Sequence, residues 1–431
     1  MRARVPVLAA LLSAVSVSPL FGQSLAPEID RGVAAVLPQV VAWRRDIHQH
    51  PELGFRETRT AALVAGELTR LGLEVRTGVG RTGVVGILRG ARPGPVVALR
   101  ADMDALPVTE QVDLPFKSTV RTEFNGQDVG VMHACGHDTH TAMLLGVAAV
   151  LAGLKDRLPG TVVFLFQPNE EGMPGEPSGA QAMIADGALA NPAPQAVFGL
   201  HVTPARVGTI LYRAGAVMSA SDVLRIVVHG RQTHGAIPWG GVDPIVIASQ
   251  IVLALQTIPS RQLDVTLGPA ILTVGMIQGG NRYNIIPDSV VLLGTVRTFD
   301  EGMRADIKER IRRTAEGIAQ SAGATATVEV EGGAPGVYND PALTERMAPT
   351  LARVAGPGNL LPAALWTPSE DFALYQQKVP GMFFFIGVTP ADRDPMTAPR
   401  NHSPLFYADE GALPIGIRAM ANLAVDYLSG P

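Results

Sequence analysis

Cysteine is all but missing from this 431-residue chain: Cys135 is the only one. A single thiol forms no internal disulfide, so no cross-link within the chain shapes the fold. Charge of one sign is lacking too. The net charge is −4 and charged residues make up 17%, which excludes the basic footprint of a nucleic-acid binder and an acidic tail. Internal repeats, low-complexity linkers and the GxSxG elbow of serine hydrolases are also absent. What remains is a 47% apolar chain long enough for two or three domains and a large core.

The N-terminus departs from that picture. "MRARVPVLAALLSAVSVSPLFGQS" places Arg2 and Arg4 before a short apolar run, then Pro19 and small residues up to Ser24. Residues 1–24 read as a cleaved secretory signal, too short for a membrane span, and imply a periplasmic or secreted protein without stable membrane insertion. In an oxidising compartment a lone unprotected thiol is a liability, and a metal bond would justify keeping Cys135.

Short β-rich runs alternate with helical patterns: "GVVGILRG", "PVVALRAD", "TVVFLFQP", "QAVFGLHV" and "MFFFIGVTP" are strands, with helices between them. Runs buried on both faces predict an α/β fold with a mostly parallel sheet and helices on both faces. Residues 216–330 have another rhythm, β-α-β-β-α-β, which predicts an inserted ferredoxin-like α+β domain. The catalytic domain would then be discontinuous, over 25–215 and 331–431.

The stretch "HACGHDTH", residues 133–140, gathers the cysteine and three histidines. Cys135 and His137 are two apart, a spacing that faces one ligand from a loop but not from a helix. Asp138 or Thr139 suits the N-cap of the apolar helix that follows. The helix N-terminus favours a thiolate, the metal-binding form. On these residues alone, a metal corner and a buried structural cluster both stand. Other strands end in chemistry as well: Asp102 and Asp104 after "VVALR", Glu170 and Glu171 after "VVFLFQPN", and His201 in "VFGLH". In an open α/β sheet such ends share one crevice. A ligating carboxylate beside a free one is what hydrolysis by a metal-activated water requires.

In order along the chain, "RRDIHQHPELGF", "RADMDALP", "MHACGHDTH", "FQPNEEG", "GLHV", "THGAIPWGGVDPI", "NIIPD", "GTVRTFD", "SEDFALY" and "HSPLF" resemble the metal-dependent amidohydrolases that include hippurate hydrolases, plant auxin-conjugate hydrolases and N-acyl-amino-acid deacylases, in the aminoacylase and carboxypeptidase clan. The resemblance implies two divalent metal ions per subunit, zinc or manganese, with cobalt or nickel also compatible with such ligands. It implies Cys135, His137, Glu171, His201 and His402 as ligands, Cys135 bridging, with Glu170 as general acid/base and Asp104 orienting a ligating histidine. In the insert it implies His234 at the scissile carbonyl, from the same or a neighbouring subunit, and Asn284 and Arg297 at the substrate carboxylate. The partners implied are a small N-acyl amino acid or peptide and a second copy of the chain, paired through the insert. Thr139, Asn169, Trp239 and Pro368 depart from the family's usual Gly, Ala, His and Gly. The expected activity is cleavage of N-acyl amino acids; a carboxypeptidase or dipeptidase of the same clan is the alternative. A non-catalytic metal carrier leaves Glu170 without a purpose, and a thiol hydrolase leaves the carboxylates unexplained.

Overall fold

The computed structural model describes residues 24–430; the export signal expected over 1–24 falls, but for its last residue, outside them. Helices α1 (Ala26–Gln49) and α2 (Thr58–Arg70) lead into β1 (Glu74–Val79), β2 (Gly83–Arg89) and β3 (Arg92–Asp102). Then come α3 (His137–Ala152), β4 (Pro159–Gln167), β5 (Ala196–Arg206) and the short β6 (Ile210–Tyr212). The insert follows with β7 (Ala220–His229), α4 (Pro244–Leu255), β8 (Ile271–Gly279), β9 (Ser289–Thr298), α5 (Glu301–Ser321) and β10 (Thr325–Glu331). The chain returns through α6 (Pro341–Ala355), β11 (Leu360–Pro362), β12 (Gly381–Thr389) and α7 (Leu413–Ser429).

The large sheet runs in the order β1-β2-β4-β3-β5-β12-β6-β11. Its central strands β4, β3, β5 and β12 are parallel, while β1, β2 and the β12–β6 pair are antiparallel. The β6–β11 pair is parallel as well, so the sheet is mixed, with four of its seven pairings parallel. β1 and β2 are joined by a tight turn, and a turn of that length can pair strands only antiparallel. Both faces are covered, and the side-chain period of two divides them. Leu99, Phe164, Phe198 and Phe384 pack with α1, α3 and α7 on one side. Ala98, Val163, Val197 and Phe383 meet Phe372 and Tyr375 on the other. Each such phenylalanine, withdrawn from water, contributes roughly 1.5–3 kcal/mol. Helix α3 is buried almost all round, which accounts for its lack of a polar face.

The insert is a smaller antiparallel sheet, β8-β9-β7-β10, with one face covered. Leu224, Ile226, Val228 and Leu292 pack beneath Ile251 and Leu255 of α4 and Ile307 and Ile311 of α5. Gly215–Met218 pairs antiparallel with Val337–Asn339, so the two crossings between the sheets lie side by side.

Candidate metal centre

Parallel pairing of β3 with β4 and β5 carries three chain segments to one edge. Asp102 is in register with Gln167, three residues before Glu170, and His201 lies on β5 opposite Phe385. Helix α3 enters the same edge, starting at His137 with Gly136 as its N-cap at φ +91°. The expected cap at Asp138 or Thr139 is thus displaced to Gly136. Only glycine takes this left-handed turn without strain, and a Cβ there would also collide with Val202. The Asp138 side chain instead accepts from Arg44 at 2.8 Å and lies 2.9 Å from His48 Nδ1.

Among the described residues, five groups of side chains have ligating atoms that all approach within 4.8 Å: Cys135, His137 and His201; Cys135, Glu171 and His402; His137, Glu170 and Glu171; Asp102, His137 and His140; and Glu170, Glu370 and Asp371. Cys135 joins the first two groups, as a bridging thiolate would. The imidazoles are aimed from behind. His137 Nδ1 lies 3.1 Å from Asp104 Oδ1, and His201 Nδ1 donates to the Val202 carbonyl at 2.7 Å. Both rings are left with Nε2 directed into the site. His201 Nε2 stands 3.3 Å from Cys135 Sγ, and His402 Nε2 3.1 Å from Glu171 Oε1. Asp104 also accepts the Glu171 backbone N–H at 3.0 Å, so one carboxylate orients a histidine and a glutamate together.

Whether these residues fit a metal is decided by His137 Nε2. It is buried with no hydrogen-bond partner, yet Asp102, Glu171 and Glu170 oxygens stand 3.8, 3.9 and 4.0 Å away. That is too long for hydrogen bonding, and a buried orphan donor or acceptor is costly. The charges agree. Burial opposes a proton on His137, but Asp102, Asp104 and Glu171 outweigh it and push the ring up to about 10. Burial, then the charges of Glu370, Glu171 and Asp371, pushes Glu170 well above the carboxylate range. Burial, with Glu171 and Glu170, pushes the Cys135 thiol up as well, against the pull of the helix N-terminus toward a thiolate. Protons gather where positive charge is short, and divalent cations would supply it. The clusters fit a dinuclear metal site.

The cavity beside this cluster, about 200 Å³, is lined by Cys135, Glu170, Glu171, His201, Met218, Trp366, Pro368, Ser369, Glu370, Asn401 and His402. All five expected ligands and Glu170 are thus gathered at one edge, and Asp104 sits behind them. The three residues of the insert are not. His234 is exposed on a two-residue ladder with Ile285–Ile286, next to Asn284, and neither lines the cavity. Arg297 comes nearer, donating to Ser369 Oγ at 3.3 Å.

Beneath the site runs a buried network that the sequence did not reveal. Arg100, fully buried on β3, donates to Asp102, Glu370, Asp371 and Gln167 at 2.6–3.1 Å. A charge inside "VVALRAD" was the available signal, because buried arginines are paired. Asn401 was missed as well. Its amide donates to the carbonyls of Cys135 and Val202 at 3.1 and 3.2 Å, tying the His402 loop to two other ligand segments. His140 bridges Asp102 and the Val202 N–H rather than facing the cavity.

Residues 98–426 match the family described as Peptidase family M20/M25/M40. The chain belongs to that family. Among the chain's relatives, Thermostable carboxypeptidase 1 of Saccharolobus solfataricus is 40% identical over 406 residues, covering 94% of this chain and 99% of the relative. The N-acetyl-L-cysteine deacetylase of Bacillus subtilis is 41% identical over 378 residues, 87% and 85% of the two chains. A dinuclear metal-binding M20 peptidase from Bacillus subtilis superposes with a TM-score of 0.77 at 36% identity, covering 92% of this chain and 99% of its own. Family and geometry together make this chain a metal-dependent amidohydrolase or metallopeptidase of the M20 clan. It acts on amide or peptide bonds of small acyl or amino-acid substrates. Among the described residues no helix is long and apolar enough to cross a membrane.

Proposed function

We propose that this protein is an exported amidohydrolase that cleaves N-acyl amino acids to a carboxylic acid and a free amino acid. The observation that carries the reading is a cation without an anion at the mouth of the site. Arg297 reaches Ser369, which lines the cavity, and makes no ion pair among the described residues. Asp222, the nearest acid in the insert, is taken by Arg304 at 2.7 Å and Lys308 at 2.8 Å. A guanidinium left open in this way suits a substrate carboxylate.

In this reading Cys135, His137, Glu171, His201 and His402 would hold two divalent ions, zinc or manganese, with cobalt or nickel also compatible, and Asp104 fixes His137. The ions, when bound, acidify water and polarise the amide carbonyl. Glu170 takes the proton from the attacking water and returns it to the leaving amine. His234 donates to the developing oxyanion, while Asn284 and Arg297 grip the amino-acid carboxylate. Because His234 and Asn284 lie outside the cavity lining, the ferredoxin-like insert over 216–330 acts as a lid, closing on its own site or on a partner's. Exposed Ile245, Val246 and Leu253 on α4, with Met276 and Ile277 on edge strand β8, supply the apolar face for a homodimer through the insert. Export to the periplasm or beyond rests on the signal read over 1–24.

The test is hydrolysis of hippurate by wild type and Glu170→Gln, each with its metal content measured. The expected result is a loss on the order of 10²–10⁴-fold in kcat with metal retained; a variant that keeps metal and full activity overturns the assignment. A second reading, a carboxypeptidase or dipeptidase, is favoured by the similarity to the Saccharolobus carboxypeptidase. Faster turnover of unblocked dipeptides than of hippurate would select it.

A further inference from the structure

The motif "PELGFRE" near the N-terminus plays no part in the chemistry above, yet the structure brings two of its residues onto the turn before the catalytic carboxylates. Strand β4 ends at Gln167, and Asn169 then takes φ +49°, a left-handed conformation in which asparagine is far better tolerated than alanine. The Asn169 N–H donates to Glu57 Oε1 at 2.9 Å. Its side-chain Nδ2 donates to the Pro177 carbonyl at 3.0 Å, and its own carbonyl accepts from the Gly179 N–H at 3.0 Å. The loop carrying Glu170 and Glu171 is therefore closed at its base by one residue. Glu57 is fully buried at the start of α2, its second oxygen accepting from Thr82 Oγ1 at 2.6 Å. Gly54 completes the seat, since a Cβ there would run into the Asn169 amide.

We infer that Asn169 and Glu57 are positioning residues: together they fix the turn that aims Glu170 and Glu171 at the His137 side of the site. Two features support this beyond proximity. Alanine, the residue the family resemblance places here, supplies neither the left-handed preference nor the bond to Pro177. The carboxylates also sit only one and two residues past the pinned position, too few to absorb a change in its backbone angles. Misplacement of a reacting group by about 1 Å costs on the order of 10²-fold in rate.

The inference rests on Glu170 and Glu171 being the working carboxylates, and the experiment separates the two ideas. Zinc-loaded wild type, Asn169→Ala, Asn169→Gly, Glu57→Ala, Glu57→Gln and Glu170→Gln are compared on hippurate for kcat, KM, pH profile and bound metal, with amide exchange followed at Gly179. Asn169→Ala and Glu57→Ala are expected to lose about 10²-fold in kcat with KM changed less than about threefold, and Gly179 to exchange faster. Asn169→Gly, which tolerates the backbone angle but lacks the side-chain bond, falls between them and wild type; it also serves if Asn169→Ala does not fold. Glu57→Gln keeps the acceptor for the Asn169 N–H and restores activity. Wild-type kcat and unchanged Gly179 exchange in Asn169→Ala and Asn169→Gly would overturn the inference. Full activity in Glu170→Gln alongside a damaged Asn169→Ala would remove Glu170 as the base and leave the clamp standing.

Discussion

Cys135, His137 and His201 are all buried at the edge of the large sheet, whereas His234 on the insert lies in water, on a ladder only two residues long. The first region is crowded with groups that repel one another, held in place by Asp104, Asn401 and Arg100. The second is sparse, and the His234 ring meets only the Ala236 N–H, at 3.0 Å. The difference matches two kinds of work. A metal-binding edge must be rigid before substrate arrives, and its cost is met by buried networks. On the proposed reading the insert is a lid, which must be free to approach, and its residues stay exposed until closure brings them in.

The largest effect that tests this contrast is on stability. Arg100→Leu leaves Asp102, Glu370 and Asp371 facing one another without their cation, and a loss of about 3–5 kcal/mol in urea unfolding is expected. A loss below about 1 kcal/mol would mean that the edge does not depend on its buried network.

How much of this was legible in the sequence follows from where each partner lies. "RADMD", "NEEG" and "GLH" sit at the ends of apolar strands, so parallel pairing alone predicts that they share an edge, and "GHD" joins them at the start of α3. Their supports come from far along the chain. Arg100 meets Glu370 across 270 positions, and Glu57 meets Asn169 across 112, spacings that no local pattern encodes. The N-cap of α3 lies two or three residues before the caps that Asp138 and Thr139 suggest, because the Asp138 side chain is drawn away by Arg44 and His48. The insert's element order was readable from its amphipathic periods. The roles proposed for His234, Asn284 and Arg297 come only from resemblance, because an exposed histidine on a short ladder carries no physical signature.

On the insert, His234→Ala is expected to lower kcat about 10²–10³-fold while metal content stays unchanged, since on the proposed reading it removes an oxyanion donor and no ligand. Loss of metal in that variant would erase the distinction between the two regions. A smaller change is expected for Arg297→Ala. Losing a hydrogen bond to a charged group, worth about 1.5–3 kcal/mol, should cut the preference for carboxylated over amidated substrates at least about 10-fold. Unchanged selectivity would return Arg297 to a purely structural part.

The smallest effect concerns pH. Burial opposes ionisation of Asp222, but Arg304 and Lys308 outweigh it and hold the carboxyl below its usual range. The folded value lies below the unfolded one of about 3.9, so the stabilisation is present above about pH 4 and is lost as pH falls through the lowered value. Asp222→Asn should flatten the acid limb of a melting-temperature profile and leave kcat at neutral pH unchanged. An acid limb as steep as wild type would show that the insert's ion pairs do not contribute.

Metal stoichiometry tests the central claim most directly. Purified protein is analysed for divalent ions, stripped with chelator, assayed on hippurate, and reloaded. Two ions per chain are expected, with hydrolysis lost on stripping and recovered on reloading. A stripped chain that still hydrolyses the amide at its original rate would contradict the account.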